Sequence, residues 1–517
     1  MGILFYSVTL YVLFVSTNEA ARILVVVPTP AISHQSVFRP LTQELAKRGH
    51  DVTVITTHPA FPKGKAPANL TEIDVYDISY ENWLKPFQEK QSTDLIKQMK
   101  LLPDLILKTI EAQLKDENIA SLLRDKERKF DLLILEAYVR SLLVYAHIYK
   151  VPVIQMSTAG AFIDSLIQFG LPMHPFLYPM VPSMRTNNLT MWEKVKELSI
   201  IYFMNSFMEG MMVEEEKLLK RVLGENSPSM KELSDNVDML FLNVNPIFYG
   251  IRPVTPNVVF VGGLHQNPEK ELPEDLKSYL DSSKNGVVYL SFGSSVDPTL
   301  LPAERIQVLV KATSKLPYDV LWKWNGDELP GRTENIRISK WLPQSDLLRH
   351  PKIKLFITQG GLQSTDEAIT AGVPMIGVPL LGDQWFNVER YEYLKIGVRL
   401  DLDIITEENF IATVHKVIGD DSYKKNIIKL RGLLRDEVQT SLERAVWWTE
   451  YVLRHGGAKH LRSPAANISW WEYLELELVL TLLGVLLAIL SAVILIVVKS
   501  YKYFFSRKET AVKIKRN

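Results

Sequence analysis

Residues 356–387 read FITQGGLQSTDEAITAGVPMIGVPLLGDQWFN, and the rest of the chain is arranged around them. Phe356 and Ile357 belong to an apolar run that suits a buried strand. Gly360 and Gly361 mark a tight turn. Gln363, Ser364 and Thr365 then open a short helix, which Gly372 stops. A second apolar run, Val373 to Leu381, ends at Gly382, Asp383 and Gln384. Strand, glycine turn, helix and strand make a parallel α/β unit, and such units bind ligands at the carboxyl ends of their strands. The helix start presents free N–H groups and a positive dipole end, which suits a phosphate.

Working outward, the same pattern occurs twice. In the first half, RILVVVP (residues 22–28) is a strand run, Thr29 to Ser36 a loop, Val37 to Arg48 a helical stretch and DVTVIT (residues 51–56) the next strand. Further strand runs lie at Phe130–Leu135, Val151–Met156, Val237–Asn243 and Val258–Val261. Residues 264–285 are polar, contain Pro268 and Pro273, and read as an interdomain linker. The pattern restarts with VVYLSF (residues 287–292), the turn Gly293-Ser294-Ser295, a helix near Ala303–Ser314, and strands at Val320–Trp324 and Ile336–Ile338. Two α/β halves make a cleft between them, a favoured place for ligands.

Bulk numbers narrow the class. A chain of 517 residues is too long for one ordinary core. Its net charge of zero lends a nucleic-acid role no support. With no cysteine, disulfides and thiolate chemistry are excluded. Ile3 to Val15 reads as the apolar core of a signal peptide (residues 1–20) or as an uncleaved anchor. Leu478 to Val498 is a charge-free run of 21 residues, long enough to span a bilayer. Glu472, Glu475 and Glu477 precede it; Lys499, Lys502, Arg507, Lys508, Lys513, Lys515 and Arg516 come after it. The positive-inside rule puts that tail in the cytosol and the two halves across the membrane. Sequons at Asn69, Asn188 and Asn467 agree with this. The closing Lys-Ile-Lys-Arg-Asn is either a dilysine retrieval signal or an ordinary basic tail.

KWLPQSDLLRHPKIKLFITQGGLQSTDEAITAGVPMIGVPLLGDQWFN resembles the donor-binding signature of the UDP-glycosyltransferases. The resemblance extends to VVFVGGLH near residue 260, VVYLSFGSS near 290 and EYVLRHGGAKHL near 455. It is closest to the membrane-anchored animal type, and TQGGLQSTDEAI points to the insect branch. It implies the GT-B fold: two facing Rossmann-like domains, an acceptor-binding one over 21–263 and a UDP-sugar-binding one over 286–455. A connector (456–477), a transmembrane helix (478–498) and a cytosolic tail (499–517) complete the chain.

The same resemblance implies roles at matching positions. Trp341 stacks on uracil, where spacing alone equally allows core packing. Gln344 bonds the base or ribose. Glu367 accepts from the ribose hydroxyls, as a carboxylate can from two neighbours. Gln359, Gly361, Gln363 and Ser364 surround the diphosphate, with Ser294 approaching from the other strand. Asp383 and Gln384 bind the sugar hydroxyls; their ordinary alternatives are a helix N-cap and a solvated turn residue. The family usually has histidine where Gln359 stands, and glutamine can donate to a phosphate without bringing charge. His34, expected on the loop after the first strand, stands at the family's general base. Glu136 takes the place of its partner carboxylate, one methylene longer than the usual aspartate, unless it caps the next helix.

Other features read more plainly. Asp401-Leu402-Asp403 spells a metal-site motif of another fold and is taken as a surface strand end. The methionine- and aromatic-rich residues 162–212 are core or, by the resemblance, part of an acceptor pocket. The expected protein is an inverting hexosyltransferase of the endoplasmic reticulum membrane with its domains lumenal. It passes a sugar from a UDP-sugar to a small lipophilic acceptor, a detoxifying reaction that needs no metal or further cofactor and allows homo- or hetero-oligomers. Glucose is the expected sugar and glucuronic acid the alternative. A carrier that kept the UDP pocket is disfavoured by His34. A dinucleotide oxidoreductase is disfavoured by the absence of the GxGxxG order.

Overall fold

The first half is built on a seven-stranded, wholly parallel sheet. Its strands are β1 (Arg22–Val27), β2 (Asp51–Thr56), β3 (Leu70–Asp74), β4 (Leu132–Glu136), β5 (Val153–Ser157), β6 (Met239–Leu242) and β7 (Val258–Phe260). Their order is β3-β2-β1-β4-β5-β6-β7. The second half carries a six-stranded parallel sheet: β8 (Val287–Ser291), β9 (Asp319–Lys323), β10 (Ile336–Ser339), β11 (Ile353–Thr358), β12 (Met375–Gly377) and β13 (Gly397–Arg399), in the order β10-β9-β8-β11-β12-β13. The molecule is described by a computed structural model covering residues 20–514 except 91–94, 126, 182, 184, 187, 295 and 296. The apolar N-terminal segment, Ser295 and the last three residues lie outside the described residues.

The strand runs fold as they do because parallel sheets covered on both faces demand continuous apolar sequence. From Ile23 to Val27, and from Leu132 to Ile134, nothing is left exposed. Ile23 pairs with Val52 on one side and Leu132 on the other. In the second sheet, Phe356 and Ile357 of β11 sit between Tyr289 and Leu290 of β8 and Met375 and Ile376 of β12.

The helices that bear on the site and its anchoring are α1 (Ile32–Lys47), α2 (Tyr76–Lys90), α3 (Leu95–Lys115), α4 (Met191–Leu223), α5 (Gln344–Arg349), α6 (Leu362–Ala371), α7 (Gln384–Tyr393), α8 (Ser441–His455) and α9 (Leu476–Ile514). Helix α6 has the bounds its glycines dictate. Gly361 is its N-cap, and Gly372 ends it in the left-handed conformation at φ 72°. Helix α1 begins five residues earlier than the sequence suggested, so His34 stands in a helical first turn and not on a loop. The cause is Gln35. Its buried amide donates to the Val27 and Thr29 carbonyls and accepts from Thr56 Oγ1, pinning the chain into a helix directly after β1.

Two segments depart from their sequence reading. The polar stretch 264–285 contains a helix, Glu274–Ser282, because Leu276 and Leu280 are four apart and both are buried. Helix α8 comes after the second sheet in sequence yet packs on the first half. Ala445, Val446 and Val452 share a core with Ile23, Val25, Phe38 and Leu41. A capping box at Thr440 and Glu443 starts it. Arg48 and Arg444 then tie it to the first half, through Glu450 at 3.2 Å and the Phe260 carbonyl at 2.9 Å. Among the sequons, Asn188 is exposed, whereas the Asn69 amide donates to the Ala46 and His50 carbonyls.

Residues 463–517 form a separate unit. Its helix α9 contains a stretch of 30 residues, Leu476–Phe505, and among the described residues it alone is long and apolar enough to cross a membrane.

Asp238 anchors the chain where it returns to the first sheet. Buried, it accepts from the backbone N–H of Val153 at 2.9 Å and of Ala458 at 2.7 Å. Asp238→Ala leaves two buried donors unpaired, an expected cost of about 2–4 kcal/mol. Thermal denaturation of the detergent-solubilised protein should show a midpoint lower by several degrees; an unchanged midpoint contradicts this anchoring role.

Candidate functional site

In a parallel sheet the strand order reverses at one place, and ligands bind outside the carboxyl ends of the strands there. In the first sheet the reversal falls between β1 and β4. His34 lies just after β1 and Glu136 ends β4. In the second sheet it falls between β8 and β11. Gly293 and Ser294 come after β8; Gln359, Gly360 and Gly361 come after β11. One cavity of about 930 Å³ is lined from both places.

On the first-half side, Glu136 has no exposed surface. Thr29 Oγ1 donates to its Oε2 at 2.5 Å, and His34 Nδ1 hydrogen-bonds its Oε1. It therefore caps no helix. Thr158 Oγ1 lies 3.3 Å from the same His34 Nδ1, and the Tyr138 ring meets the imidazole edge-on. With Nδ1 engaged, Nε2 makes no hydrogen bond to a described residue, and the side chain keeps 26% exposure. Burial opposes charging of the ring, but the charge and hydrogen bond of Glu136 outweigh it, so the imidazole titrates above its usual range.

The second-half side gathers the remaining candidates. Trp341 is 68% exposed and lines the cavity, so it is not a core residue. The Gln344 amide donates to Ser364 Oγ at 2.8 Å and to Glu367 Oε2 at 2.7 Å, while its oxygen accepts from Tyr289 at 3.0 Å. Burial pushes the Glu367 carboxyl up to about 7, against the pull of that hydrogen bond. Gln359 is buried, its oxygen unpartnered among the described residues and its nitrogen pressed against Gly293. Helix α6 has no side-chain N-cap, which leaves its first N–H groups for a ligand.

Three candidates hold the fold as well as facing the cavity. Gln363 donates its amide to the Thr158 carbonyl at 3.2 Å, a bond from one half to the other. Gln384 is buried, and its oxygen accepts from the N–H groups of Leu380 and Leu381, both at 2.8 Å. It is thus not a solvated turn residue. Asp383 occupies the N-cap position of α7 but makes no capping bond; its carboxylate accepts from Asn387 at 2.8 Å. Burial raises its pKa, the Asn387 bond and the charge of His34 opposing.

The sequence reading missed Lys323. It closes β9, donates to the Gly293 carbonyl at 2.5 Å, and stands 5.7 Å from the Trp341 ring centroid. Burial lowers its pKa, partly offset by Asp297. A lysine at the carboxyl end of an apolar strand was the available signal. Among the described residues no group of three or more acidic or histidine side chains could hold a metal, and Asp401 simply caps the Asp403 N–H.

Residues 21–516 match the family described as UDP-glucoronosyl and UDP-glucosyl transferase. The chain is 36% identical to an ecdysteroid UDP-glucosyltransferase of Lymantria dispar multicapsid nuclear polyhedrosis virus, covering 91% of this chain and 94% of that one. It is 32% identical to UDP-glycosyltransferase UGT5 of Dactylopius coccus (94% and 93%) and 31% to human UDP-glucuronosyltransferase 2B7 (92% and 91%). In fold it is similar to a UDP-glucose: anthocyanidin 3-O-glucosyltransferase solved in complex with UDP. The TM-score is 0.55 at 18% identity, over 84% of this chain and all of that one.

Gly293 has φ +76°, and a Cβ there would lie 2.0 Å from Gln359 Nε2. Gly293→Ala therefore strains the turn and displaces the amide. Calorimetry is expected to show UDP affinity weakened about tenfold, the effect of roughly 1.4 kcal/mol; an unaltered affinity would separate this turn from the nucleotide.

Proposed function

Because the chain belongs to the UDP-glucuronosyl and UDP-glucosyl transferase family, we propose that it transfers glucose from UDP-glucose, with inversion, to a small lipophilic acceptor, His34 being the general base. The observation that carries this is His34 itself: Nδ1 bound to a buried carboxylate, Nε2 with no hydrogen bond to a described residue, and the ring on the wall of the cavity that the donor-side residues line.

The steps derive from the chemistry of these groups. Glu136 keeps the Nδ1 proton, so the lone pair is on Nε2. Nε2 takes the acceptor's hydroxyl proton as the oxygen attacks the anomeric carbon. The bond from that carbon to the diphosphate breaks, and UDP leaves with its electrons. The new negative charge meets the N–H groups at the start of α6, with Lys323 nearby on the Gly293 turn. Lys323 thus supplies the charge that neutral Gln359 lacks, and no metal is called for. Trp341 stacks on the base, Gln344 and Glu367 take the ribose region, Gln359, Gly361, Gln363, Ser364 and Ser294 the diphosphate, and Asp383 and Gln384 the sugar.

Glucuronic acid as the sugar is the second reading, favoured by the identity to human UDP-glucuronosyltransferases. The apolar stretch of α9 and the basic residues after it support a single-pass protein of the endoplasmic reticulum with its two halves lumenal.

The full-length membrane protein, given a panel of phenols, should form glycosides and release UDP with UDP-glucose at least tenfold faster than with UDP-glucuronic acid. The reverse order would assign glucuronic acid. His34→Ala should lower turnover about 10³-fold; near-wild-type turnover would remove His34 as the base.

A pH profile tests the pair. His34 acts while neutral, and Glu136 raises its pKa, so in the wild type the base form is lost as pH falls through that raised value. Glu136→Gln removes the raising charge. The acid limb of kcat/KM should move to lower pH, with the plateau reduced by about 10²-fold or more. An acid limb that stays in place would detach Glu136 from the titration.

A further inference from the structure

The cavity continues from His34 along a wall that includes Trp83 of α2, Leu102 and Leu107 of α3, Met208 of α4, and Phe162 from the segment after β5. Charged side chains gather at one place on that wall. Arg140, on the turn after β4, donates to Glu215 of α4 at 2.8 Å, and Asp164 faces the same guanidinium at 3.9 Å. All three line the cavity. Arg140 and Glu215 are 8% and 4% exposed.

Arg140 and Glu215 explain each other: the pair ties the turn after β4 to α4. Asp164 is not explained in this way. It accepts no hydrogen bond from any described residue, and its one partner is a guanidinium already bonded to Glu215. One guanidinium thus faces two carboxyl groups and is hydrogen-bonded to Glu215 alone of the two. Burial pushes the Glu215 carboxyl up; Arg140 pulls it down, and Asp164 adds to the rise. A carboxylate with spare acceptor capacity on an apolar cavity wall is costly to the fold alone and is met by a donor from a ligand.

We propose that Asp164, beside Arg140 and Glu215, anchors a hydrogen-bond donor on the acceptor, remote from the hydroxyl that reacts at His34. The acceptor class is then a rigid lipophile with two polar ends: one hydroxyl to be glycosylated, and a second hydroxyl or an ammonium group for Asp164. This rests on the reading that the acceptor lies between His34 and the apolar wall.

Three acceptors test it with the full-length enzyme and UDP-glucose: estradiol, its 17-deoxy analogue, and the analogue with a 17β-amine. The wild type should favour estradiol or the amine over the deoxy compound by tenfold to a hundredfold in kcat/KM for 3-O transfer, the range of one hydrogen bond to a charged group. The better of the two identifies the donor. Asp164→Asn, which keeps a neutral acceptor oxygen, should cut that ratio to a few-fold, chiefly through KM, and Asp164→Glu should retain more of it. UDP affinity and the thermal midpoint of each variant confirm that it is folded. A wild-type ratio of one, or an Asp164→Asn loss equal for all three compounds, overturns the proposal. His34→Ala separates this from the reading beneath it: that variant should lose all three acceptors alike, and its failure to do so would indict the base and not the anchor.

Discussion

Glu136 is a carboxylate with no exposed surface, and the arrangement of the first half results from how its burial is made tolerable. An isolated charge at the end of a central strand would not stay ionised. Here Thr29 donates to one oxygen and His34 to the other. Both partners come from the segment just after β1, the strand that pairs with β4. The bond that gives the buried carboxylate a partner also orients the imidazole and raises the pKa of His34. Stability and chemistry thus share one contact. Since the pKa is raised, the stability that contact adds is complete below the ordinary histidine pKa and is lost as pH rises through the folded value.

The other half of the site depends on geometry more than on charge. Each sheet reverses its strand order once, and each reversal opens onto the same cavity. The halves are fastened beside it by a few polar bonds. Gln363 of α6 reaches the Thr158 carbonyl; the Gln363 carbonyl is within 3.2 Å of His265; and Arg390 of α7 donates to the Phe248 carbonyl at 2.7 Å. Thr158 also touches His34. A residue assigned to the phosphate by resemblance is therefore two contacts from His34. Chemistry that needs donor and base together is well served by such a bridge.

How legible this was in the sequence differed from residue to residue. The two parallel sheets could be read because strands covered on both faces are apolar throughout, as in RILVVV and IKLFIT. Helix α6 could be read to within a residue, opening at Leu362 where the sequence suggested Gln363 and ending as expected before Gly372. The early start of α1 could not, since it is set by Gln35 reaching back to Val27 and across to Thr56. Nor could the burial of Gln384, which serves N–H groups three and four residues earlier. Lys323 drew no notice inside the strand run Val320–Trp324, and Arg140 finds Glu215 seventy-five residues away. What escaped was long-range pairing of polar side chains, which leaves no period in the sequence.

The central claim is that an acceptor activated from one half attacks a sugar held by the other in a single displacement. The configuration of the first-formed product tests this most directly. UDP-glucose is α-linked, so one displacement at the anomeric carbon must give the β-glycoside. Proton NMR of the isolated glycoside should show the β anomer alone. An α-glycoside would require a covalent or front-face route in place of a single displacement and would contradict the account.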